Sequence, residues 1–260
     1  MPKTHNNLYP QICKFNNIHL AYIKARRNKR YRPDVLKFTA NLEQNLYGIQ
    51  QKLLDKTYQT GNYRMFYVYE PKKRIIMALP FKDRIVHHAI CNIIEPLFDS
   101  IFIYDSYACR KNKGIHKGSN RLTYFLRQTH KKWDIVYFLK CDVEQYFQNI
   151  NHDVLFNILN RHIKCKSTLN LLENIIRSHN KNERKGIPIG NLTSQLFANI
   201  YLNELDYFVK HGLKIKYYLR YMDDFIILSD DKRYLHKIKT KIEDYLLNAL
   251  YLKLNYKSNV

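Results

Sequence analysis

The chain has 260 residues, with 44 Lys and Arg against 22 Asp and Glu, giving a formal charge of +22. At 45% hydrophobic and 14% aromatic it can bury a core, which excludes a disordered basic tail; seven Gly and seven Pro exclude collagen-like or linker-like material. No stretch approaches the roughly 20 apolar residues that cross a bilayer, and no apolar leader follows Met1, so the expectation is a cytoplasmic protein with no membrane partner. The basic excess points to a polyanion, because Lys and Arg that neutralise phosphates release condensed counterions. The five cysteines (Cys13, Cys91, Cys109, Cys141, Cys165) are odd in number and scattered, so neither a disulfide framework nor a zinc site is expected.

Residues 1–33 carry eight Lys and Arg and no Asp or Glu, which suits a nucleic-acid-contacting arm or a solvated helix face. Phe38, Leu42, Leu46, Ile49 and Leu53 recur at helical spacing, predicting one amphipathic helix over 34–54. Two apolar runs, 63–69 and 74–79, flank Glu70-Pro71-Lys72-Lys73 and predict a β-hairpin with a basic tip. A helix is predicted from Asp83 to about Pro96, followed by a basic loop that opens a further helix, with Arg110, Lys111, Lys113, Lys117 and Arg121. Residues 135–141 are nearly all apolar and predict a central strand ending at Asp142. Helices are predicted from Asn151 and over 168–179, then a break at Gly186-Ile187-Pro188-Ile189-Gly190, then a helix that Asn191 caps and Gly212 ends. Strands at 215–221 and 225–228 flank Met222-Asp223-Asp224 as a tight hairpin, a helix covers 231–249, and 252–254 forms a last short strand. The order is mixed, with few separated strands, and favours an α+β fold over a doubly wound parallel sheet.

Asp after a strand is most often a turn residue. Three such carboxylates in a chain with twice as many bases as acids carry more information, since adjacent carboxylates repel unless a cation sits between them. If the strand ending at Asp142 pairs beside the hairpin, the acids meet at one sheet edge and make an oxygen-rich site for Mg²⁺. Side chains alternate along a strand, so Asp223 is given the direct role with Asp142 and Asp224 a supporting one. Two Mg²⁺ about 4 Å apart would activate a hydroxyl and stabilise a leaving oxygen in an in-line displacement, with Mn²⁺ as an alternative ion.

Tyr221-Met222-Asp223-Asp224 resembles the Tyr-x-Asp-Asp box of reverse transcriptases. Phe138 to Phe147, around Asp142, resembles the first catalytic motif of that family; Gly186 to Gln195 followed by Ala198-Asn199-Ile200-Tyr201 resembles its template- and nucleotide-positioning motif. Arg74-Ile75-Ile76 and Pro80 to Arg84 resemble fingers motifs, and Leu252 to Lys257 the start of the motif after the catalytic hairpin. Ile189-Gly190 with Ser194-Gln195, Ser106 to Arg110 and Asp83 to His88 resemble the diversity-generating retroelement branch. Group II intron enzymes usually show Gln where Ile189 stands and fit less well.

The resemblance implies a right-hand polymerase whose antiparallel palm sheet packs on helices: a basic segment over 1–33, fingers over 34–130 and palm over 131–260, with the thumb missing. It implies Asp142, Asp223 and Asp224 as catalytic residues and metal ligands, with Val143 in the metal set. Phe147 is implied as the steric gate against a ribose 2′-OH. Lys72 and Arg74 are implied to grip the triphosphate, Ile189, Gly190 and Gln195 to line the nucleotide, and Lys257 to aid pyrophosphate departure. Arg84, Arg110, Lys111, Lys113 and Lys117 are expected on nucleic acid. The implied activity is RNA-templated DNA synthesis from deoxynucleoside triphosphates on a template RNA and cDNA primer, with a small basic accessory protein as partner. Ile189 cannot make the hydrogen bond of a Gln, so the copying is expected to be error-prone. A retron- or defence-type reverse transcriptase and a truncated, non-catalytic RNA-binding remnant are the alternatives.

Overall fold

Local sequence rules account for the starts of two helices, α3 and α11. The computed structural model describes residues 3–69, 73–178 and 183–260. In chain order the helices are α1 (Leu8–Cys13), α2 (Phe15–Ala25), α3 (Pro33–Ala40), α4 (Leu42–Leu54), α5 (Phe81–Asp99), α6 (Ile115–His130), α7 (Tyr146–Asn149), α8 (His152–His162), α9 (Lys166–Ile176), α10 (Leu192–Tyr207) and α11 (Lys232–Leu250). The strands are β1 (Arg64–Val68), β2 (Arg74–Ala78), β3 (Tyr137–Asp142), β4 (Tyr218–Tyr221) and β5 (Asp224–Ser229). Pro33 opens α3 where its missing N–H and fixed φ cost nothing. The Asp231 side chain caps α11 by accepting from the Tyr234 N–H at 3.0 Å, and Leu235, Ile238, Ile242, Leu246 and Leu250 then form its buried stripe.

The single helix expected over 34–54 is two. Asn41, at φ −123°, interrupts it. The apolar spacing runs unbroken across the break, so periodicity alone could not find it. Conversely, α5 continues past Pro96 to Asp99, because a proline in the last turn removes only one ladder bond. Gly212 ends not an α-helix but a π-helical turn, Phe208–Gly212, that follows α10. No strand forms at 252–254; isolated bridges instead join Leu254 to Val143 and Asn259 to Lys140.

The chain divides into two units, each drawing on two stretches of sequence. One holds residues 1–98 and 152–196, the other residues 99–151 and 197–260. These stretches interleave along the chain, which passes from one unit to the other inside α5, just before α8 and inside α10, with no linker composition to mark the crossings. In the first unit β1 and β2 form a two-stranded antiparallel hairpin in register Arg64 to Ala78. In the second, β3, β5 and β4 lie in that order, all antiparallel. The strand expected to be central, β3, is therefore beside the middle strand, and β5 takes the centre. An apolar run fixes burial less well than it suggests here: Phe138 and Lys140 are exposed, while Leu139 and Cys141 are buried. Helix α11 covers β3 and β5, and α6 lies along β4. Tyr107, Phe125, Tyr217, Leu219 and Leu228 pack together as one core of this unit. Among the described residues, no helix is long and apolar enough to cross a membrane.

Candidate active site

The second unit builds the acidic site from three positions of one small sheet. Asp142 ends β3 and Asp224 begins β5, and the two are direct register partners. Tyr221 pairs with Asp224, so Met222 and Asp223 are the two-residue loop of the β4–β5 hairpin. Met222 sits at φ +57°, the left-handed region that tight hairpin loops demand and that a side chain with a Cβ resists. The result is that Asp142, Asp223 and Asp224 each offer a carboxylate oxygen within 4.8 Å of the others. Asp142 and Asp223 are half-buried and Asp224 is exposed.

Three carboxylates this close repel, and hard oxygen donors suit Mg²⁺ or Mn²⁺. The donor set thus fits divalent ions.

The end of the chain holds Asp142 in place. The Asn255 N–H donates to the Asp142 carbonyl at 2.7 Å and its Nδ2 donates to Asp142 Oδ2 at 3.1 Å. The Asp142 N–H donates to Ser258 Oγ at 3.1 Å. Asn255 falls inside the Leu252–Lys257 motif, but the sequence marks neither it nor Ser258 as a support for Asp142. Only a fold that returns the chain to β3 reveals their purpose.

The other residues expected near the acids lie in the same unit. Val143 is buried and bridges to Leu254. Phe147 is half-buried on α7, beside Tyr146, whose hydroxyl donates to the Ala198 carbonyl at 2.5 Å. The Phe147 and Tyr146 rings meet edge to face at 5.6 Å. Lys257 is exposed; its N–H donates to Asn255 Oδ1 at 3.1 Å.

The basic residues expected on nucleic acid differ in how far the chain itself engages them. The Arg110 guanidinium is bonded within the chain. Nε donates to Asp99 Oδ1 at 2.6 Å, and Nη1 donates to the carbonyls of Ile103 at 2.7 Å and Ser106 at 3.0 Å. Lys113 donates to the Tyr104 carbonyl at 2.7 Å with Nζ 3.5 Å from that ring's centre; burial, and then Arg110, hold its pKa below the usual lysine value. Lys111 and Lys117 are exposed.

The remaining expected residues belong to the first unit. Lys72 lies outside the described residues. Arg74 is exposed at the start of β2, opposite Val68. Arg84 pairs with Asp34. The Ile189 carbonyl accepts from the Met77 N–H at 2.9 Å, which lays the 186–190 loop against β2. Gly190 is required there: it sits at φ +116°, and a Cβ would come within 3.0 Å of Ile76 Cγ2 and 3.3 Å of the Met77 carbonyl oxygen. Gln195 is half-buried in the first turn of α10.

The reverse transcriptase (RNA-dependent DNA polymerase) family profile matches residues 55–257, and the chain belongs to that family. It is 28% identical over 222 residues to the group II intron-encoded protein LtrA of Lactococcus lactis subsp. cremoris, a match spanning 81% of this chain and 36% of LtrA. It is 24% identical over 259 residues to protein YkfC of Escherichia coli strain K12, covering 83% and 67% of the two chains. The chain thus spans about a third of the length of LtrA. Among solved structures, telomerase from Candida tropicalis, in complex with a fragment of telomeric RNA, aligns with a TM-score of 0.56 at 14% identity, over 76% of this chain and 40% of that one. A partial Cas6-RT-Cas1–Cas2 complex aligns with a TM-score of 0.51 at 20% identity, over 93% and 42%. The mixed helix and sheet architecture, with its small antiparallel sheets, is that of reverse transcriptase fingers and palm.

Proposed function

We propose that the chain is an RNA-templated DNA polymerase that joins deoxynucleoside triphosphates to a cDNA primer on a template RNA. The observation that carries this reading is the meeting of the Asp142, Asp223 and Asp224 carboxylates within 4.8 Å. Asp142, Asp223 and Asp224 would hold divalent ions, Mg²⁺ or Mn²⁺, with the Val143 carbonyl in the set. Such ions supply charge stabilisation for an in-line displacement at phosphorus. Asn255 and Ser258 keep Asp142 fixed, so that its carboxylate need not reorganise during reaction. The half-buried Phe147 ring serves as the gate against a ribose 2′-OH. Lys72 and Arg74 grip the triphosphate, and Lys257 aids departure of pyrophosphate. Lys111, Lys113 and Lys117 carry the nucleic-acid backbone, whose charge the +22 chain complements.

The finer reading is mutagenic cDNA synthesis in a diversity-generating retroelement, together with a small basic accessory protein. Ile189 and the Ser194-Gln195 pair support it. Losing one hydrogen-bonding partner at the nucleotide removes about 1–3 kcal/mol of discrimination. The 28% identity to LtrA favours a second reading, an intron-type reverse transcriptase of ordinary fidelity. Primer extension on an RNA template tests both levels. Mg²⁺-dependent incorporation that Asp223→Asn abolishes supports the polymerase; equal activity in the two overturns it. Fewer errors in Ile189→Gln support the mutagenic branch, and an unchanged error spectrum supports the intron type.

A further inference from the structure

Arg220, the third residue of β4, is fully buried. Its guanidinium uses all three nitrogens. Nε and Nη2 donate to the two oxygens of Asp206 on α10 at 2.7 and 2.6 Å. Nη1 donates to Asn199 Oδ1 at 3.3 Å and to the Met222 carbonyl at 2.9 Å. Its partners are themselves held: the Tyr218 hydroxyl donates to Asp206 Oδ1 at 2.7 Å, and Asn199 Nδ2 donates to the Ala108 carbonyl at 2.9 Å. The backbone of Arg220 is pinned as well, its N–H to the Asp105 carbonyl at 2.9 Å and its carbonyl to the Tyr107 N–H at 3.0 Å.

A buried ion pair is weak evidence for stability, since well-packed apolar residues of the same volume often do as well. What apolar residues could not do is donate to Met222. That carbonyl belongs to the peptide plane joining Met222 to Asp223, and the plane is rigid. Met222 lies at φ +57°, a conformation an L-residue keeps only when its surroundings enforce it. The two carboxylates that follow would otherwise be driven apart from Asp142 by like charge.

We infer that Arg220 is a positioning residue for the acidic site, holding the left-handed Met222 turn so that Asp223 and Asp224 converge on Asp142, with Asp206 and Asn199 holding Arg220. This inference rests on the polymerase reading only for its kinetic arm. Its binding arm concerns metal capture by the carboxylates alone.

The test compares Arg220→Lys with a double variant, Arg220→Met plus Asp206→Leu. A lysine keeps the charge, but one ammonium cannot serve both Asp206 and Met222 as a planar fork does. The double variant leaves no buried charge behind and so avoids the unpaired charge that a single replacement creates. Mn²⁺ binding to the chain alone, followed by electron paramagnetic resonance without nucleotide or nucleic acid, is the first readout. Thermal melting and Mg²⁺-dependent incorporation on an RNA template follow. Mn²⁺ affinity is expected to weaken by about 10–100-fold in each folded variant. The turnover rate should fall by about as much, while the nucleotide KM stays within about twofold. A control, Ile238→Ala in the buried face of α11, should lower the melting temperature and leave Mn²⁺ affinity unchanged. Lowered melting with parental Mn²⁺ affinity in the Arg220 variants would show a merely structural arginine and overturn the inference. So would a parent chain that binds no Mn²⁺. If the parent binds Mn²⁺ but incorporates no nucleotide, the polymerase reading fails, and the binding arm still decides the role of Arg220.

Discussion

Two antiparallel hairpins in this chain are alike in length and opposite in environment. Every residue of β1 is exposed, and in β2 only Met77 is buried. Phe66, Tyr67, Tyr69 and Ile75 face solvent, and Lys73 lies 4.6 Å from the centre of the Tyr67 ring. The β4–β5 hairpin buries Tyr218, Leu219, Arg220, Phe225, Ile227 and Leu228. It is flanked on one edge by β3 and on the other by the 105–107 segment. A two-stranded hairpin is marginal in water unless something packs on it. The buried one has that support within its own unit and can hold carboxylates within 4.8 Å of each other. Among the described residues the exposed one is bonded to the 186–190 loop, and it presents aromatic and basic side chains outward.

The contrast can be broken or sharpened in order of expected effect. Phe225→Ala should destabilise the second unit by about 3–5 kcal/mol, the range for a large side chain lost from a core. Its counterpart in β1, Phe66→Ala, should stay within about 0.5 kcal/mol, as exposed substitutions do. Urea titrations compare the two, and equal losses would erase the distinction. Gly190→Ala, which forces a side chain into a left-handed backbone and against Ile76 and Met77, should cost about 1–3 kcal/mol in the same assay. A neutral Gly190→Ala would mean that the loop leaves β2 readily.

The first unit also carries an acid sensitivity. Burial holds the His87 pKa down at about 3, and that of His88 at about 4. The unfolded chain binds a proton on each below about pH 6.5 while the folded chain does not, so stability is full above that pH and falls as acid is added. At pH 5 the loss from His87 is about 2 kcal/mol relative to neutral pH. Replacing His87 by Gln should flatten the stability profile between those pH values by that amount, as read from urea midpoints. An unchanged slope would place the sensitivity elsewhere.

How much was legible depended on range. The β4–β5 hairpin was readable because its apolar flanks and the acids between them are local. So was α11, with its Asp231 cap and apolar stripe. Strand order was not: whether β3 or β5 is central depends on pairing over more than 80 residues, and the apolar run at 135–141 gave the wrong centre. The carboxylates were readable as a class, since Asp in a basic chain is conspicuous. Their support was not. Arg220 alternates in a strand like any polar residue, and Asp206 lies on a helix 14 positions away with nothing to mark the pair. Asn255 meets Asp142 across 113 residues. The partners of Arg110 were not legible either, because a basic loop looks solvated until Asp99 and two carbonyls are found around its guanidinium.

The convergence of Asp142, Asp223 and Asp224 on divalent ions is tested most directly by crystallising the chain with Mn²⁺ and locating the metal by anomalous scattering. A peak is expected within about 2.0–2.6 Å of oxygens from Asp142 and Asp223 or Asp224, and it should be lost in Asp142→Asn. An acidic cluster left empty at millimolar Mn²⁺, or a peak that persists unchanged in Asp142→Asn, would contradict it.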